Sequence, residues 1–407
     1  MRLICVDCGH THPPALSYAC EACGGILEVQ GESGLEPPRE VALLASMWRH
    51  AGRLCINDPA NIVSLGEGLT PMRRAPRIEA ALPGFHGEVW LKDETRNPSG
   101  SFKDRLVSAG IGKALELGAR GVICASSGNA GASTAAYAAR AGMPAIIVVP
   151  AHTPAGKLTQ IAAYGAILLL VEGHYSRSYD LALGLARQAG FANLTTTFLN
   201  PWAVDALKLT GLEIFEQLGR VAPSHVLIPT GSGPLVKGVA QGFTETGATP
   251  KLVAVQAEGC APIVRAFEAG AEAVTAWDTP RTIASGISDP LIGYERDGSY
   301  TLKLVRRSGG LAVSVSDAAL RDAMRDLARL EGVYAEPTGA SPLAALRRLL
   351  AEGRMPPDAR AVCMITGHGF KDGAAFADMP ARTHRVADPA DVAAVARLCD
   401  HAMAEQG

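Results

Sequence analysis

A lysine stands at an unusual place in the stretch NPSGSFKDRL, residues 97–106. Residues 98–101 predict a turn and a helical pattern begins near Phe102, so Lys103 falls in the first turn of a helix. The amino end of a helix carries partial positive charge, which disfavours an ammonium group and lowers its pKa. We therefore expect Lys103 to act as a neutral amine, the form that attacks a carbonyl group. The alternative is a lysine that simply extends into solvent.

Three other loops carry polar or glycine-rich residues directly after short apolar runs. The loop SSGNAGAS includes Ser126, Ser127 and Asn129 and leads into an alanine-rich helix. The second loop, PTGSGP, includes Gly231, Ser232 and Gly233, and the third, TGHGFKD, begins at Thr366. Taken singly, each has an ordinary structural explanation: a serine or asparagine helix cap, a glycine turn, and a structural histidine at position 368. In α/β proteins, however, the loops at strand ends commonly carry the chemistry.

Together, the lysine and these loops provide the groups that pyridoxal phosphate requires. A lysine amine forms a Schiff base with the cofactor aldehyde. Converging backbone N–H groups in a glycine-rich loop at a helix start bind a phosphate. An asparagine and a hydroxyl remain for the polar edges of the ring. The four loops therefore predict a pyridoxal-phosphate enzyme with Lys103 as the catalytic residue.

The N-terminal residues contain two Cys-x2-Cys pairs, Cys5 with Cys8 and Cys20 with Cys23, separated by eleven residues. Two such pairs place four thiolates on tight turns, as tetrahedral Zn²⁺ requires. Because four thiolates leave no coordination position for a substrate, a structural role is favoured over a catalytic one. The alternative is four ordinary reduced cysteines.

The remaining chain alternates apolar runs with helical patterns, which predicts a doubly covered parallel sheet. The predicted strands are 122–125, 145–149, 166–171, 225–228, 252–257 and 361–365. Ser316 and Asp317 predict the start of one late helix, Ser341 and Pro342 that of another, and Asp388 that of the last. We expect a zinc-ribbon-like segment (1–35), a linker with a helix near 41–50 (36–60), a catalytic body (61–385) and a C-terminal helix (386–407). Within the body, a smaller lobe should span about 105–200.

Composition narrows the classes of function. The chain has 407 residues, 48% of them hydrophobic, 19% charged, and a net charge of −2. Such a charge does not suit nucleic-acid binding, which needs a basic face. The sequence contains no signal peptide and no run of about 20 apolar residues that would span a membrane. Nine cysteines, some within apolar runs, are typical of a reducing compartment. These features predict a cytoplasmic enzyme that binds neither nucleic acid nor membrane.

The motifs NPSGSFKDR, SSGNAG, GSGPL and TGHGFKD resemble those of the threonine synthase family, pyridoxal-phosphate enzymes of the tryptophan-synthase-β fold type. The resemblance extends over nearly the whole chain, including the four-cysteine head. It implies that Lys103 holds the cofactor and moves protons, and that Phe102 packs near the ring. It further implies that Asn129 binds the 3-hydroxyl, that Gly231, Ser232 and Gly233 bind the cofactor phosphate, and that Thr366 faces the pyridine nitrogen. Dimers are common in this fold type, so the resemblance is compatible with a homodimer, although the residues themselves do not define the oligomeric state.

The implied reaction converts O-phosphohomoserine and water to threonine and phosphate, but two positions depart from the family pattern. Ala130 stands where a threonine is usual, and Ala203 where an arginine often follows Asn-Pro-Tyr/Phe. Ser126, Ser127, Lys92 and Lys208 are candidates to bind the substrate in their place. The departures leave open a related β-elimination or β-replacement enzyme: cysteate-synthase-like, serine/threonine deaminase-like, or one of specialised metabolism. A third alternative is a zinc-ribbon binding module on an inactive scaffold.

Overall fold

The computed structural model describes residues 1–43, 45–153, 155–173, 175–377, 383–386 and 391–404. These residues group into two units, Met1–Ala375 and Phe376–Gly407. The predicted boundary of the catalytic body near residue 385 thus lies about ten residues beyond the division between the units.

The N-terminal segment, residues 1–31, forms a small antiparallel sheet of strands β1 (Arg2–Cys5), β2 (Thr11–His12) and β3 (Leu27–Gln30), in the order β2-β1-β3. Where the sequence predicts one helix near 41–50, the structure has a short helix, α1 (Arg39–Ala42), and a 3-10 helix, Met47–Arg53. The interruption has a local cause, because the Ser46 hydroxyl accepts a hydrogen bond from the backbone N–H of Trp48 and starts a new turn there.

Ten further strands form two sheets in the larger unit. They are β4 (Met72–Arg74), β5 (Glu88–Asp93), β6 (Gly121–Ala125), β7 (Ala145–Pro150), β8 (Ile167–Val171), β9 (Phe191–Asn193), β10 (His225–Pro229), β11 (Lys251–Ala257), β12 (Leu311–Val315) and β13 (Arg360–Ile365). All six predicted strands are present, each within one residue of its predicted ends.

The larger sheet has the order β12-β11-β10-β13-β5-β4, and all neighbours are parallel except β4, which runs antiparallel to β5. The smaller sheet has the order β8-β7-β6-β9 and is wholly parallel. Strands β6 and β10 are buried along their whole length, because helices cover both faces of each sheet. The predicted α/β fold with two lobes and parallel sheets is therefore confirmed.

The helices that cover the sheets and join the strands follow in chain order. They are α2 (Pro76–Ala80), α3 (Lys103–Glu116), α4 (Asn129–Ala141), α5 (Ala155–Ala163), α6 (Tyr175–Ala189), α7 (Pro201–Asp205), α8 (Lys208–Gln217), α9 (Pro234–Glu245), α10 (Pro262–Glu268), α11 (Glu295–Arg307), α12 (Asp317–Glu331) and α13 (Pro337–Ala351). Short 3-10 helices occur at Pro59–Asn61, Glu94–Arg96, Ser285–Ile287 and Gly369–Phe376.

Two late helix starts test the capping rules. Helix α12 begins as predicted, with the Ser316 hydroxyl accepting the N–H of Ala319. The prediction for α13 is wrong, because this helix begins at Pro337 and not at Pro342, which lies inside it. Both prolines fit a first helical turn, and the sequence could not show which one begins the helix.

The second unit contains helix α14 (Val392–Ala404), and its predicted cap at Asp388 lies outside the described residues. In the part of the chain that the structure describes, no helix has the length and apolar content needed to cross a bilayer.

Candidate active site

The candidate site lies where five loops meet at strand ends. The loops after β10, β13 and β5, three adjacent strands of the larger sheet, carry the glycine-rich turn, Thr366 and Lys103. The loops after β6 and β9, neighbours in the smaller sheet, carry Ser126–Asn129 and three threonines, 195–197. Because parallel neighbours end at the same edge, these loops converge, and they line one cavity of about 500 Å³.

Lys103 is the first residue of α3 and lines this cavity, as the sequence predicts. Its ammonium donates a hydrogen bond to the Thr196 hydroxyl at 2.7 Å and lies 4.7 Å from the centre of the Phe102 ring. Burial lowers the pKa of Lys103 to about 8, although the nearby Cys124, Asp289 and Glu336 favour the charged form. A substantial fraction of neutral amine is therefore present near neutral pH.

The lysine loop is attached directly to the loop that carries Thr366. The N–H of Phe102 donates to the carbonyl of Thr366 at 3.1 Å, and the N–H of His368 donates to the carbonyl of Gly100 at 2.9 Å. Gly100 has a φ of +88°, a conformation that favours glycine. These bonds fix the amine of Lys103 relative to the hydroxyl of Thr366.

The glycine-rich turn is held open by its own neighbours. Gly233 caps α9 with a φ of +111°, and a Cβ atom at this position would lie 1.9 Å from the Thr301 hydroxyl. That hydroxyl donates to the carbonyl of Ser232 at 2.6 Å. The carbonyl is thus turned toward Thr301 and away from the N–H groups at the start of α9, a position where N–H groups bind anions. The N–H of Ser232 has the carboxylate of Asp289 as a partner.

Two further polar side chains in the cavity could form hydrogen bonds with the polar atoms of a heteroaromatic ring. The Thr366 hydroxyl is buried and has no hydrogen-bond partner within the described part of the chain. The Asn129 amide lines the same cavity and donates to the Glu336 carboxylate at 2.8 Å. With the lysine, the anion-binding turn and an unsatisfied hydroxyl in one cavity, the residues present fit pyridoxal phosphate.

The start of α4 forms another polar wall of the cavity. Gly128 is the N-cap and no side chain caps the helix, so the structural explanation of SSGNAG as an ordinary cap does not hold. Ser126 and Ser127 line the cavity beside these helix N–H groups. Lys371 adds a second ammonium to the lining and donates to the Gln160 side-chain oxygen at 2.7 Å.

Two of the predicted substrate-binding candidates lie elsewhere. Lys92 does not line the cavity: it is fully buried, donates to Glu213 at 2.8 Å, and shares this carboxylate with Arg105. Lys208 is likewise buried and pairs with Asp205 at 3.0 Å. Both lysines neutralise buried carboxylates, and neither is available to a ligand.

The two departures from the family pattern differ in position. Ala130 lines the cavity, so a hydroxyl is missing there. Ala203 is buried and packs against α3, since a Cβ atom at Gly110 would lie 3.1 Å from its Cβ. His368 is also absent from the lining: it stacks on Phe370, which supports its structural interpretation.

The cavity residues that the sequence analysis did not identify include Thr196, Asp289, Glu336 and Lys371. Asp289 lies beside the glycine-rich turn, with an oxygen 3.4 Å from the Cβ position of Gly231, and burial raises its pKa. A signal existed for two of them, because Glu336 directly precedes the proline that begins α13 and Lys371 belongs to the TGHGFKD motif.

The four cysteines of the N-terminal segment form a separate cluster, with all Sγ atoms within 4.8 Å of one another. The separations of neighbouring sulfur atoms include 3.5 Å for Cys5 and Cys23 and 3.7 Å for Cys8 and Cys20. Tetrahedral zinc with Zn–S bonds of about 2.3 Å requires S···S distances of roughly 3.8 Å. The cluster thus has the dimensions of a metal site.

Comparison with known proteins agrees with this geometry. Residues 63–367 match the family described as pyridoxal-phosphate dependent enzyme. The threonine synthase of Methanocaldococcus jannaschii is 37% identical over 383 residues, which cover 90% of this chain and 92% of the relative. The threonine synthase of Methanosarcina acetivorans is 35% identical and covers 91% and 92%.

Solved structures of similar fold include two enzymes with other names. The threonine deaminase of T.th. has a TM-score of 0.62 and 29% identity, covering 74% of this chain and 92% of that one. Maize serine racemase has a TM-score of 0.66 at 24% identity, covering 75% and 89%. The second likeness concerns the fold alone.

Proposed function

Because the chain belongs to the family of pyridoxal-phosphate-dependent enzymes, and by sequence to its threonine synthases, we propose that it converts O-phosphohomoserine and water to threonine and phosphate. The observation that carries the proposal is a cavity whose lining contains the glycine-rich turn and, in addition, the start of α4 and the Lys371 ammonium. The turn fits the cofactor phosphate, and the other groups suit a negatively charged substrate with its α-carboxylate and its phosphate.

Each cavity residue then has a role toward the cofactor. Pyridoxal phosphate supplies an electron sink that stabilises negative charge on substrate carbons. Lys103 would hold the cofactor, Phe102 would pack beside it, and residues 231–233 would bind its phosphate. Asn129 would bind the 3-hydroxyl, and Thr366 would be the partner of the pyridine nitrogen. A neutral hydroxyl at Thr366 does not enforce protonation of the ring, which suits elimination and replacement at the β and γ carbons.

Lys103 is the group that moves protons in the proposed reaction. Its amine takes the α proton and then a β proton of the substrate as phosphate leaves from the γ carbon. These two protons return to the γ and α carbons, while the hydroxyl of water adds at the β carbon and the proton of that water goes to the released phosphate. A pKa of about 8 suits both directions of transfer, since neither the amine nor the ammonium form is strongly disfavoured near neutral pH.

The substrate anion would be bound by Ser126, Ser127 and Lys371. The two serines stand at the start of α4, where N–H groups favour negative charge. Lys371 reaches the cavity from the TGHGFKD loop, and its present partner is the neutral side chain of Gln160. A phosphate would offer this ammonium a charged partner, which forms a stronger hydrogen bond than the amide oxygen does.

The proposal is tested by offering O-phosphohomoserine to the holoenzyme and measuring released phosphate and the amino-acid product, with O-phosphoserine in parallel. We expect equal amounts of phosphate and threonine from the first substrate. The Lys103→Ala variant is the control for turnover at this site. Holoenzyme that binds the cofactor but releases no phosphate from O-phosphohomoserine would overturn the assignment.

A β-elimination or β-replacement enzyme is the second candidate. Two observations favour it: the similarity to a threonine deaminase structure, and Ala130, which leaves the start of α4 without one hydroxyl. Release of phosphate from O-phosphoserine, or of ammonia from serine or threonine, in the same assay would place the chain in this group.

We also propose that Cys5, Cys8, Cys20 and Cys23 bind one structural Zn²⁺. Their spacing and S···S distances fit a tetrahedral site, and His12 approaches Cys20 Sγ at 3.4 Å as an outer partner. Metal analysis should find about one zinc per chain. A stable, metal-free chain would contradict this assignment.

A further inference from the structure

The N-terminal segment contacts the smaller lobe at Tyr18, whose ring packs against a cluster that includes Phe191 and whose hydroxyl makes two hydrogen bonds. Tyr18 donates to the carbonyl of Phe191 at 3.1 Å and accepts the N–H of Asn193 at 2.9 Å. Both residues belong to β9, an edge strand whose only strand neighbour in the described sheet is β6. Tyr18 thereby forms hydrogen bonds with a backbone C=O and a backbone N–H at the edge of the sheet, where no further strand pairs with them.

Strand β9 leads directly into the cavity wall. The Asn193 side chain accepts the N–H of Thr195 at 2.8 Å, and residues 195–197 line the cavity. Thr196 accepts the hydrogen bond from the Lys103 amine at 2.7 Å. The backbone atom that Tyr18 contacts therefore lies three residues from the hydroxyl that holds the catalytic lysine.

The same segment contacts the helices around the glycine-rich turn through Glu28. This carboxylate accepts the Tyr300 hydroxyl at 2.7 Å and lies 3.6 Å from the Lys237 ammonium. Tyr300 directly precedes Thr301, which holds the carbonyl of Ser232, and Lys237 lies in the first turn of α9. Glu28 thus joins the two helices that shape the turn.

The cysteines determine where Tyr18 and Glu28 stand. Tyr18 lies two residues before Cys20, and Glu28 pairs with Ile4, the neighbour of Cys5, across β1 and β3. The segment has few apolar residues of its own: Leu3, Cys5, Cys20 and Leu27 form a small cluster with Trp202 of α7. About thirty residues with so small a core need a metal or a disulfide to keep one conformation.

We infer that Tyr18 and Glu28 are positioning residues for the cofactor cavity, and that metal bound by the four cysteines raises the affinity for pyridoxal phosphate through them. The metal orders the segment, and the segment then fixes residues 195–197 and 231–233, which belong to different lobes. Because coupling between two binding equilibria is reciprocal, the cofactor must raise the metal affinity by the same factor.

The experiment measures the dissociation constant of pyridoxal phosphate for the full-length chain by equilibrium dialysis, so it needs no substrate and is independent of the proposed reaction. Tyr18→Phe and Glu28→Gln should each weaken cofactor binding by roughly two- to tenfold, the range for one lost hydrogen bond. Arg2→Ala is the control, since Arg2 contacts Gln30 within the segment itself, and its dissociation constant should stay within about twofold of the wild type.

A second arm tests the metal. Chelator-treated protein should bind the cofactor at least as weakly as the double variant that combines Tyr18→Phe and Glu28→Gln. Metal removal should not weaken cofactor binding by this double variant further. At equilibrium with a competing chelator, the cofactor should increase zinc affinity by the matching factor. A chain that binds no zinc, or equal cofactor affinity with and without metal, would refute the coupling.

Hydrogen exchange separates positioning from a general loss of stability. Tyr18→Phe should increase amide exchange in residues 191–197 and leave it unchanged in residues 231–236. Glu28→Gln should increase exchange in residues 231–236 and leave it unchanged in residues 191–197. This readout applies to the single variants even if the double variant fails to fold. Unchanged exchange in both regions, with unchanged cofactor affinity, would overturn the inference.

Discussion

Lys371 offers the sharpest test of the proposed substrate, through the substitution Lys371→Gln. The ammonium lines the cavity and donates to Gln160, whose amide in turn donates to the carbonyl of Ser99 in the lysine loop at 3.2 Å. Glutamine keeps a polar side chain there but removes the charge. A charge-assisted hydrogen bond to phosphate contributes about 1.5–3 kcal/mol. Since each 1.4 kcal/mol is a factor of ten, kcat/KM for O-phosphohomoserine should fall roughly 10- to 150-fold.

The assay compares two ligands on the same holoenzyme. Phosphate release from O-phosphohomoserine is measured beside the dissociation constant of threonine, the proposed product, which carries no phosphate and whose binding is followed by the absorbance of the cofactor. The loss in Lys371→Gln should be confined to the phosphorylated substrate, while the dissociation constant of the cofactor stays unchanged. Lys251→Gln is the matched control, because Lys251 is an exposed lysine at the start of β11 and away from the cavity.

Two outcomes would refute the reasoning. An equal effect of Lys371→Gln on O-phosphohomoserine and on threonine would mean that Lys371 binds a group common to all amino acids, such as the α-carboxylate, or that it supports the lysine loop. A loss below about threefold for O-phosphohomoserine, less than a neutral hydrogen bond usually contributes, would mean that the phosphate is bound by other residues.

Four further predictions concern the cofactor and the metal. Lys103→Ala should abolish turnover and the visible absorbance of the bound cofactor with no change in far-ultraviolet circular dichroism; retained activity would disprove the assignment. The rate of cofactor association with the apoenzyme should rise about tenfold per pH unit and level off near pH 8, because the neutral amine of Lys103 is the reactive form; a rate independent of pH between 6 and 9 would contradict the lowered pKa. Thr366→Val should weaken cofactor binding by roughly five- to 100-fold, since the ring nitrogen loses its buried partner, and an unchanged dissociation constant would place Thr366 away from the ring. Cys8→Ser should reduce the zinc content and lower the melting temperature, whereas an unaltered metal content would exclude Cys8 as a ligand.

Local signals were sufficient to predict the loops that build the cavity. The three loops predicted after apolar runs contain residues that favour particular backbone conformations. Examples are Gly233, which has a positive φ, and Pro234, which occupies the first position of α9. Strand order was not readable, yet the parallel arrangement alone implied that loops at strand ends meet. The convergence of Asn129, Thr366 and the glycine-rich turn therefore follows from sequence patterns that act over fewer than ten residues. Strand β5, which precedes the lysine loop, was not among the predicted strands.

Pairings between distant residues explain what the sequence did not show. Lys92 was a candidate to bind the substrate in place of the missing arginine, but its partner Glu213 is 121 positions away. The same limit hid Glu336, which meets Asn129 across 207 positions, and Tyr18, which contacts β9 from the N-terminal segment. A charged residue in a strand-end motif can face either a cavity or a buried counter-ion, and only the fold determines which.

The size of the pKa shift of Lys103 identifies its main cause. A helix terminus changes the energy of a charge by about 0.3–1 kcal/mol, which is less than one pKa unit. The shift of Lys103 from 10.5 to about 8 is larger than that, and burial is its largest cause. The position at the start of α3 directs the amine into the cavity, and the cavity then lowers its pKa. It follows that the pKa of Lys103 depends on how far the cavity excludes water, and that negatively charged groups of a bound ligand would act in the opposite direction, as Asp289 and Glu336 already do.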